Sequence, residues 1–297
     1  MKTKSIKFKC QGWNRFQQAM IPIAGAFILT FALQAFSVQA QGDLLIHPSR
    51  IVFDGTTTSE VINLANTGQD TARYLISFVQ YKMTEDGAFE EIKTPEEGQF
   101  FASDHIRYFP RNVVLAPKES QAVKIQPVKT NQLKPGEYRS HLYFRSVPDQ
   151  KPLGEDEEVT DTSSIIVRLT PVFGITIPVI IRVGESNTTS NIEDLSLSEK
   201  DNRMILTITL SRFGNMSVYG NISVEYVSPE GKVSQVGIAK GVAVYTPNVL
   251  RKIALYLNFP EDNMPNDQGT LRVVYTSASD IETTTLAESD ALVGQIH

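Results

Sequence analysis

The residues best suited to chemistry in this chain are four histidines, His47, His105, His141 and His297, and one cysteine, Cys10. A metal site needs several such ligands at close spacing. The histidines are scattered, and no carboxylate cluster accompanies them, so no metal and no other cofactor is expected. There is no Gly-rich phosphate loop to suggest ATP, no Gly-x-Ser-x-Gly elbow, and no Ser/His/Asp grouping that stands out. An exported β-sandwich hydrolase would require a catalytic group that the spacing does not supply, so no catalytic residue is assigned. What the chain offers instead is recognition chemistry. Every odd position from Ile165 to Ile181 is apolar: Ile165, Val167, Leu169, Pro171, Phe173, Ile175, Ile177, Val179 and Ile181. At period two these side chains share one face of a strand, and the stripe is far longer than the usual ~3–10 residues. Either it is a buried core strand, or its overhang is offered to a partner, because a free apolar edge is otherwise an aggregation hazard.

The elements that must position this stripe read as all-β. A basic start (Lys2, Lys4, Lys7, Lys9, Arg15), an uncharged apolar run from Ile21 to Phe36 and the small residues of Val38-Gln39-Ala40 describe a signal peptide cleaved after Ala40. The rival, a membrane anchor, would need the ~20 apolar residues that span a bilayer. Cys10 leaves with residues 1–40, so the exported chain must be stabilised by core burial without disulfides. The whole chain carries a net charge of −5 and no Lys/Arg cluster, which argues against nucleic acid.

From residue 43 onward strands alternate with turns. Leu44–Phe53, Glu60–Ala65, Ala72–Met83, Phe89–Ile92, Ile106–Leu115, Gln121–Pro127, Tyr138–Val147 and Ile165–Val183 are bounded by signals such as Asp54-Gly55, Glu85-Asp86-Gly87 and Pro135-Gly136. They make a first antiparallel sandwich, residues 41–183. A polar linker begins at Gly184, and a second strand series makes a smaller sandwich over 184–281. Residues 282–297 read as a polar, poorly ordered tail. Pro148 to Ser164 is acidic and short of apolar residues, so it cannot bury enough surface to order itself. That leaves the start of the stripe free to pair elsewhere.

Four segments together resemble the PapD-like periplasmic pilus-assembly chaperones: Arg50-Ile-Val-Phe-Asp-Gly, Leu64-Ala-Asn-Thr-Gly, the run from Pro135-Gly-Glu-Tyr-Arg-Ser-His-Leu to Pro148, and Asn266-Asp267-Gln-Gly269. Their order matches the family across the exported chain, and Tyr-Arg-Ser-His-Leu is most similar to the branch serving archaic-type pili. The resemblance implies two immunoglobulin-like β-sandwich domains in a boomerang arrangement. It implies a non-enzymatic, ATP-independent chaperone that lends a strand, here about 165–177, to pilus subunits with incomplete folds and delivers them to an outer-membrane usher. Ile165, Val167, Leu169, Phe173 and Ile175 are then the donated side chains. The chief rival is an exported Ig-like adhesin or envelope scaffold in which the stripe is only core.

The family also holds the subunit's terminal carboxylate with a basic pair. Arg50 matches the first member, and a guanidinium fork suits a carboxylate. Pro178 falls where the second, a lysine, belongs, so Arg139 or Arg168 is expected to help. Glu137, Arg182 and Asp267 match three charged residues that the family places across the domain junction.

Overall fold

The computed structural model describes residues 44–148, 172–278 and 283–296. The described residues are overwhelmingly strand, as the turn spacing predicts, and they pair into two separate sandwiches. In the first, one layer holds β1 (Leu44–His47), β3 (Glu60–Asn66), β9 (Ser120–Pro127) and β7 (Ile106–Phe109), side by side in that order. The facing layer holds β2 (Ile51–Phe53), β11 (Gly174–Val183), β10 (Gly136–Ser146), β4 (Ala72–Val79) and β8 (Asn112–Leu115). A short hairpin, β5 (Tyr81–Met83) and β6 (Phe89–Glu91), stands apart from both.

The expected strands Leu44–Phe53 and Ile106–Leu115 each divide, into β1 with β2 and β7 with β8, and each half joins a different layer. Pro48 and Pro110 stand at the breaks, where a residue without an N–H cannot continue a ladder. Alternation then builds the core. Ile62, Leu64, Val123 and Ile125 face Phe53, Leu142, Phe144, Ile177 and Val179, all almost free of solvent. Fully burying each such side chain contributes roughly 1.5–3 kcal/mol.

The second sandwich packs β12 (Thr189–Lys200), β13 (Arg203–Phe213) and β16 (Leu250–Leu257) against β15 (Val233–Val244), β14 (Val218–Val227), β17 (Thr270–Ser277) and β18 (Thr285–Leu292). Along β14 every second residue is buried, so Val218, Ile222, Val224 and Tyr226 enter the core while Tyr219 and Asn221 face away. β18 corrects the expectation of a poorly ordered tail. It pairs with β17, and Val293 and Ile296 just beyond it are buried. Its sequence, Thr-Leu-Ala-Glu-Ser-Asp-Ala-Leu, is polar because an edge strand keeps one face and one edge in water.

Candidate functional site

Period-two geometry gives β10 two different faces. Tyr138, Leu142 and Phe144 enter the first core, which leaves Glu137, Arg139 and His141 together on the opposite face, yet all three are buried. The register pairs them with Arg182, Ile180 and Pro178 of β11. What covers this face is the second sandwich. Met83 and Ile180 pack with Ala243 and Tyr245, flanked by Val52 and Tyr219.

Glu137 is the polar centre of that junction. Its Oε2 accepts hydrogen bonds from Arg182 Nε at 3.1 Å and from the Ser217 backbone N–H at 3.0 Å, and its Oε1 accepts from the Ser217 hydroxyl. Arg182 also donates to the Ser217 carbonyl at 2.9 Å, and the Thr246 N–H donates to Ser217 Oγ at 3.1 Å. A carboxylate with no solvent access is thus satisfied by one charge and two donors from the facing domain.

The expected third charge is not there. Asp267 lies in the loop before β17, where its carbonyl accepts the Gly294 N–H at 3.1 Å. β17 begins opposite Val227, at the far end of β14 from Ser217 and Val218. At ~3.3 Å per residue that end is about 30 Å away. Ser217 takes the place expected of Asp267.

Arg50 precedes β2 and lies on the same face as Val52. Its Nη1 donates to the Tyr245 hydroxyl at 2.5 Å, and its guanidinium carbon stands 4.2 Å from the Tyr219 ring centre. Arg139 stacks on the same Tyr245 at 4.0 Å. The structure therefore brings Arg50 and Arg139 to one tyrosine. Arg168 lies outside the described residues. Arg139 Nη2 donates to the carbonyls of Tyr81, at 3.3 Å, and Thr246, at 3.4 Å, while its Nε and Nη1 have no partner. Burial pulls its pKa down to about 10, against the opposing pull of Tyr245 and Glu137, so it remains a cation at neutral pH. Beside it, burial and then the charges of Arg139 and Arg50 push His141 down to about 3, which keeps that imidazole neutral.

The β5–β6 hairpin closes the junction from the side. Asn248 Nδ2 donates to the Met83 carbonyl at 2.7 Å, and the Lys252 N–H donates to the Glu85 carbonyl at 2.6 Å. At its tip Gly87, φ +85°, lies so close to Arg251 that any Cβ would collide with the guanidinium.

Along the apolar stripe, exposure changes abruptly. Phe173 and Ile175 are 46% and 37% exposed, whereas Ile177, Val179 and Ile181 are at most 2% exposed. Ile165, Val167 and Leu169 lie outside the described residues. The Ser146 N–H donates to the Phe173 carbonyl at 2.8 Å, which sets the phase of the ladder. Antiparallel pairs alternate between bonded and non-bonded, so odd residues of β11 turn their backbone groups to β10 and even residues turn theirs outward. β2 covers the outer edge only from Val179 to Ile181. Among the described residues nothing pairs with the outward groups of Gly174 and Thr176. Pro178, the next outward position, has no N–H to offer, which ends the open edge.

Sequence reasoning missed Ser217 and Tyr245, which come from distant segments and carry no local motif; it marked the turn of the hairpin, Glu85-Asp86-Gly87, but not the hairpin's place at the junction. The alternation of Glu137, Arg139 and His141 along one strand is the signal in the sequence that points to this face. Among the described residues no group of side chains could hold a metal, and no helix is long and apolar enough to cross a membrane.

Solved structures similar to this chain include two chaperones and one chain of a chaperone–subunit complex. The YadV chaperone is 12% identical, covering 84% of this chain and 100% of that one with a TM-score of 0.42. The Pseudomonas aeruginosa CupB2 chaperone is 15% identical, with coverage of 84% and 100% and a TM-score of 0.40. A chain of the CsuC–CsuE chaperone–tip adhesion subunit pre-assembly complex, from archaic chaperone-usher Csu pili of Acinetobacter baumannii, is 11% identical, with coverage of 82% and 97% and a TM-score of 0.43. No family model matches the chain, and no curated protein matches it in sequence.

Proposed function

We propose that this protein is a periplasmic chaperone that binds pilus subunits with incomplete immunoglobulin-like folds, lends them its segment 165–177 as a strand, and passes them to an outer-membrane usher. It works by binding alone, without catalysis, cofactor or ATP. The observation that carries this reading is the open edge of β11. There, among the described residues, Gly174 and Thr176 present unpaired backbone groups beside the exposed side chains of Phe173 and Ile175. An incoming chain gains ladder hydrogen bonds from the first and apolar contact from the second. Arg50 and Arg139, cations gathered on Tyr245, anchor the subunit's terminal carboxylate, and the Glu137–Arg182–Ser217 contacts hold the two domains in register around it.

The test is co-expression with a subunit from a chaperone-usher operon, followed by recovery of the complex from the periplasm. Phe173→Asp places a charge where an apolar groove must close, at a cost of several kcal/mol. It leaves the free protein almost unchanged, because exposed substitutions move stability by ~0.5 kcal/mol or less. Capture is lost while the melting temperature stays. Undiminished capture, or a melting temperature that falls as far as capture does, assigns the stripe to the core alone and returns the protein to the adhesin or scaffold class.

A further inference from the structure

The two sandwiches are tied together on two sides, and the ties differ in kind. On one side β11 passes to β12 through residues 184–188. Most of that crossing is fastened to the second sandwich. The Asn187 N–H donates to Asn215 Oδ1 at 3.1 Å and the Asn215 N–H to Asn187 Oδ1 at 3.0 Å, while Asn215 Nδ2 donates to the Glu185 carbonyl at 2.9 Å. The Met216 N–H donates to Thr188 Oγ1 at 2.9 Å. Gly184 alone is left between β11 and the fastened stretch, and its φ of +79° lies where glycine is favoured. Beside it stand Arg182, Glu137 and Ser217. A hinge consists of such residues, few in number, at the end of an element, able to absorb backbone rotation.

The other tie is the β5–β6 hairpin, which grips the second sandwich by contact alone. His141 is four residues along β10 from Glu137, ~13 Å away. Its ring meets Tyr81 and Phe89 of the hairpin edge-on, with centroids 5.1 and 5.5 Å away. From there the hairpin reaches across. Met83 is buried with Ala243 and Tyr245, and the Met83 and Glu85 carbonyls accept from Asn248 and Lys252. β16 is the outer strand of its layer, so the Lys252 N–H is an edge amide that the hairpin tip satisfies. What the hairpin covers is unfinished. Arg139 Nε and Nη1, His141 Nδ1 and Arg251 Nε are buried without a partner. Native structures leave few buried polar groups unmet, and each costs free energy until a partner or water reaches it. On this side the hairpin contacts favour closure, and the orphaned groups favour opening.

We propose that the hairpin is a latch and Gly184 the hinge: the sandwiches part on the hairpin side, pivot about the Glu137 side, and so uncover Arg139. In the latched arrangement Arg139 is 3% exposed, enclosed by the Tyr245 ring and the carbonyls of Tyr81 and Thr246. A partner from outside reaches it only after these neighbours move apart. A subunit held by Arg139 therefore favours the unlatched state, as any ligand favours the state it binds better. Only this last step rests on the chaperone reading; the latch itself belongs to the free protein.

The test is thiol labelling. Cys10→Ser removes the chain's one cysteine, and Ala243→Cys then places a single thiol beneath the hairpin, where Ala243 is 2% exposed. Val224→Cys, in the core of the second sandwich, is the reference that only unfolding exposes. The rate of reaction with a water-soluble maleimide reads opening. The thiol at 243 is expected to react at least about a hundredfold faster than the one at 224, because a local opening lies well below global unfolding in free energy. Asn248→Ala removes the bond to Met83 and raises the rate at 243 about two- to tenfold further. Gly87→Ala, whose added Cβ meets the Arg251 guanidinium, raises it as well, whereas Glu137→Gln, on the hinge side, leaves it unchanged. Equal rates at the two thiols, or acceleration by Glu137→Gln as large as by Asn248→Ala, overturns the latch. In the complex with a co-expressed subunit the thiol at 243 should react faster than in the free protein, and equal or slower reaction overturns the uncovering of Arg139. Failure to recover any complex counts against the chaperone reading alone, since the free protein still decides the latch.

Discussion

Glu137→Ala is the sharpest probe of the junction. The carboxylate has no solvent access and accepts three hydrogen bonds, one from Arg182 and two from Ser217 of the facing sandwich. Each bond to a charged acceptor is worth ~1.5–3 kcal/mol, but three bonds to one group do not add. Removing one partner of a buried ion pair costs ~3–5 kcal/mol, because the other is stranded. Arg182 keeps 27% of its side chain in water and can be rehydrated, so the expected loss is at the lower end, about 3 kcal/mol. Glu137→Gln keeps one accepting oxygen, for Arg182 Nε and the Ser217 N–H, and gives up the charge and the second acceptor, whose place an NH2 takes and toward which the Ser217 hydroxyl can turn to accept, for about 1 kcal/mol. Urea unfolding followed by circular dichroism reads both values, and small-angle scattering reads whether the alanine variant broadens the distribution of shapes. An alanine variant within 1 kcal/mol of wild type, or a glutamine variant as costly as alanine, refutes the assignment of Glu137 as a buried junction acceptor.

Asp267→Ala, at the far end of the second sandwich, is expected to change stability by ~0.5 kcal/mol or less and to leave scattering unchanged. Lowering the pH tests His141. Its folded pKa of about 3 lies below the unfolded value near 6.5, so the unfolded state binds the extra proton, and stability is full above pH 6.5 and declines toward pH 3. Between pH 6 and pH 4 wild type should lose about 2–3 kcal/mol more than His141→Phe, measured by urea unfolding at each pH; parallel profiles contradict the burial of a neutral imidazole. Arg50→Ala removes the bond to Tyr245 and the stacking on Tyr219, a cost of about 1–2 kcal/mol, so it should remain folded in a thermal melt while capturing no subunit. Wild-type capture by that variant contradicts its role as an anchor.

Alternation made the all-β architecture legible, because a residue's parity fixes its face whatever lies across from it. The same parity assigned Ile177, Val179 and Ile181 to one face with Phe173 and Ile175, but could not say that the core ends between Ile175 and Ile177. That depends on how far the opposing layer extends. Glu137 and Arg182 were named by resemblance, and the structure brings them together because they lie opposite each other on adjacent strands. The same resemblance assigned Asp267 as their partner across the junction, and the side chain in place is Ser217, which no charge pattern singles out. Tyr245 meets Arg50 across 195 positions of sequence, beyond the reach of any local signal. β18 escaped notice because its exposed edge and face permit a composition that reads as solvent-loving.

Amide hydrogen exchange along β11, read by NMR before and after subunit binding, tests the lent strand most directly. In the free protein the Ile175 and Ile177 amides, turned toward β10, are expected to be protected, while those of Gly174 and Thr176, turned outward, exchange quickly. On binding a subunit Gly174 and Thr176 should become protected in their turn. Slow exchange at Gly174 and Thr176 in the free protein, or no change at either on binding, would contradict the claim that this edge is where the partner's strand is added.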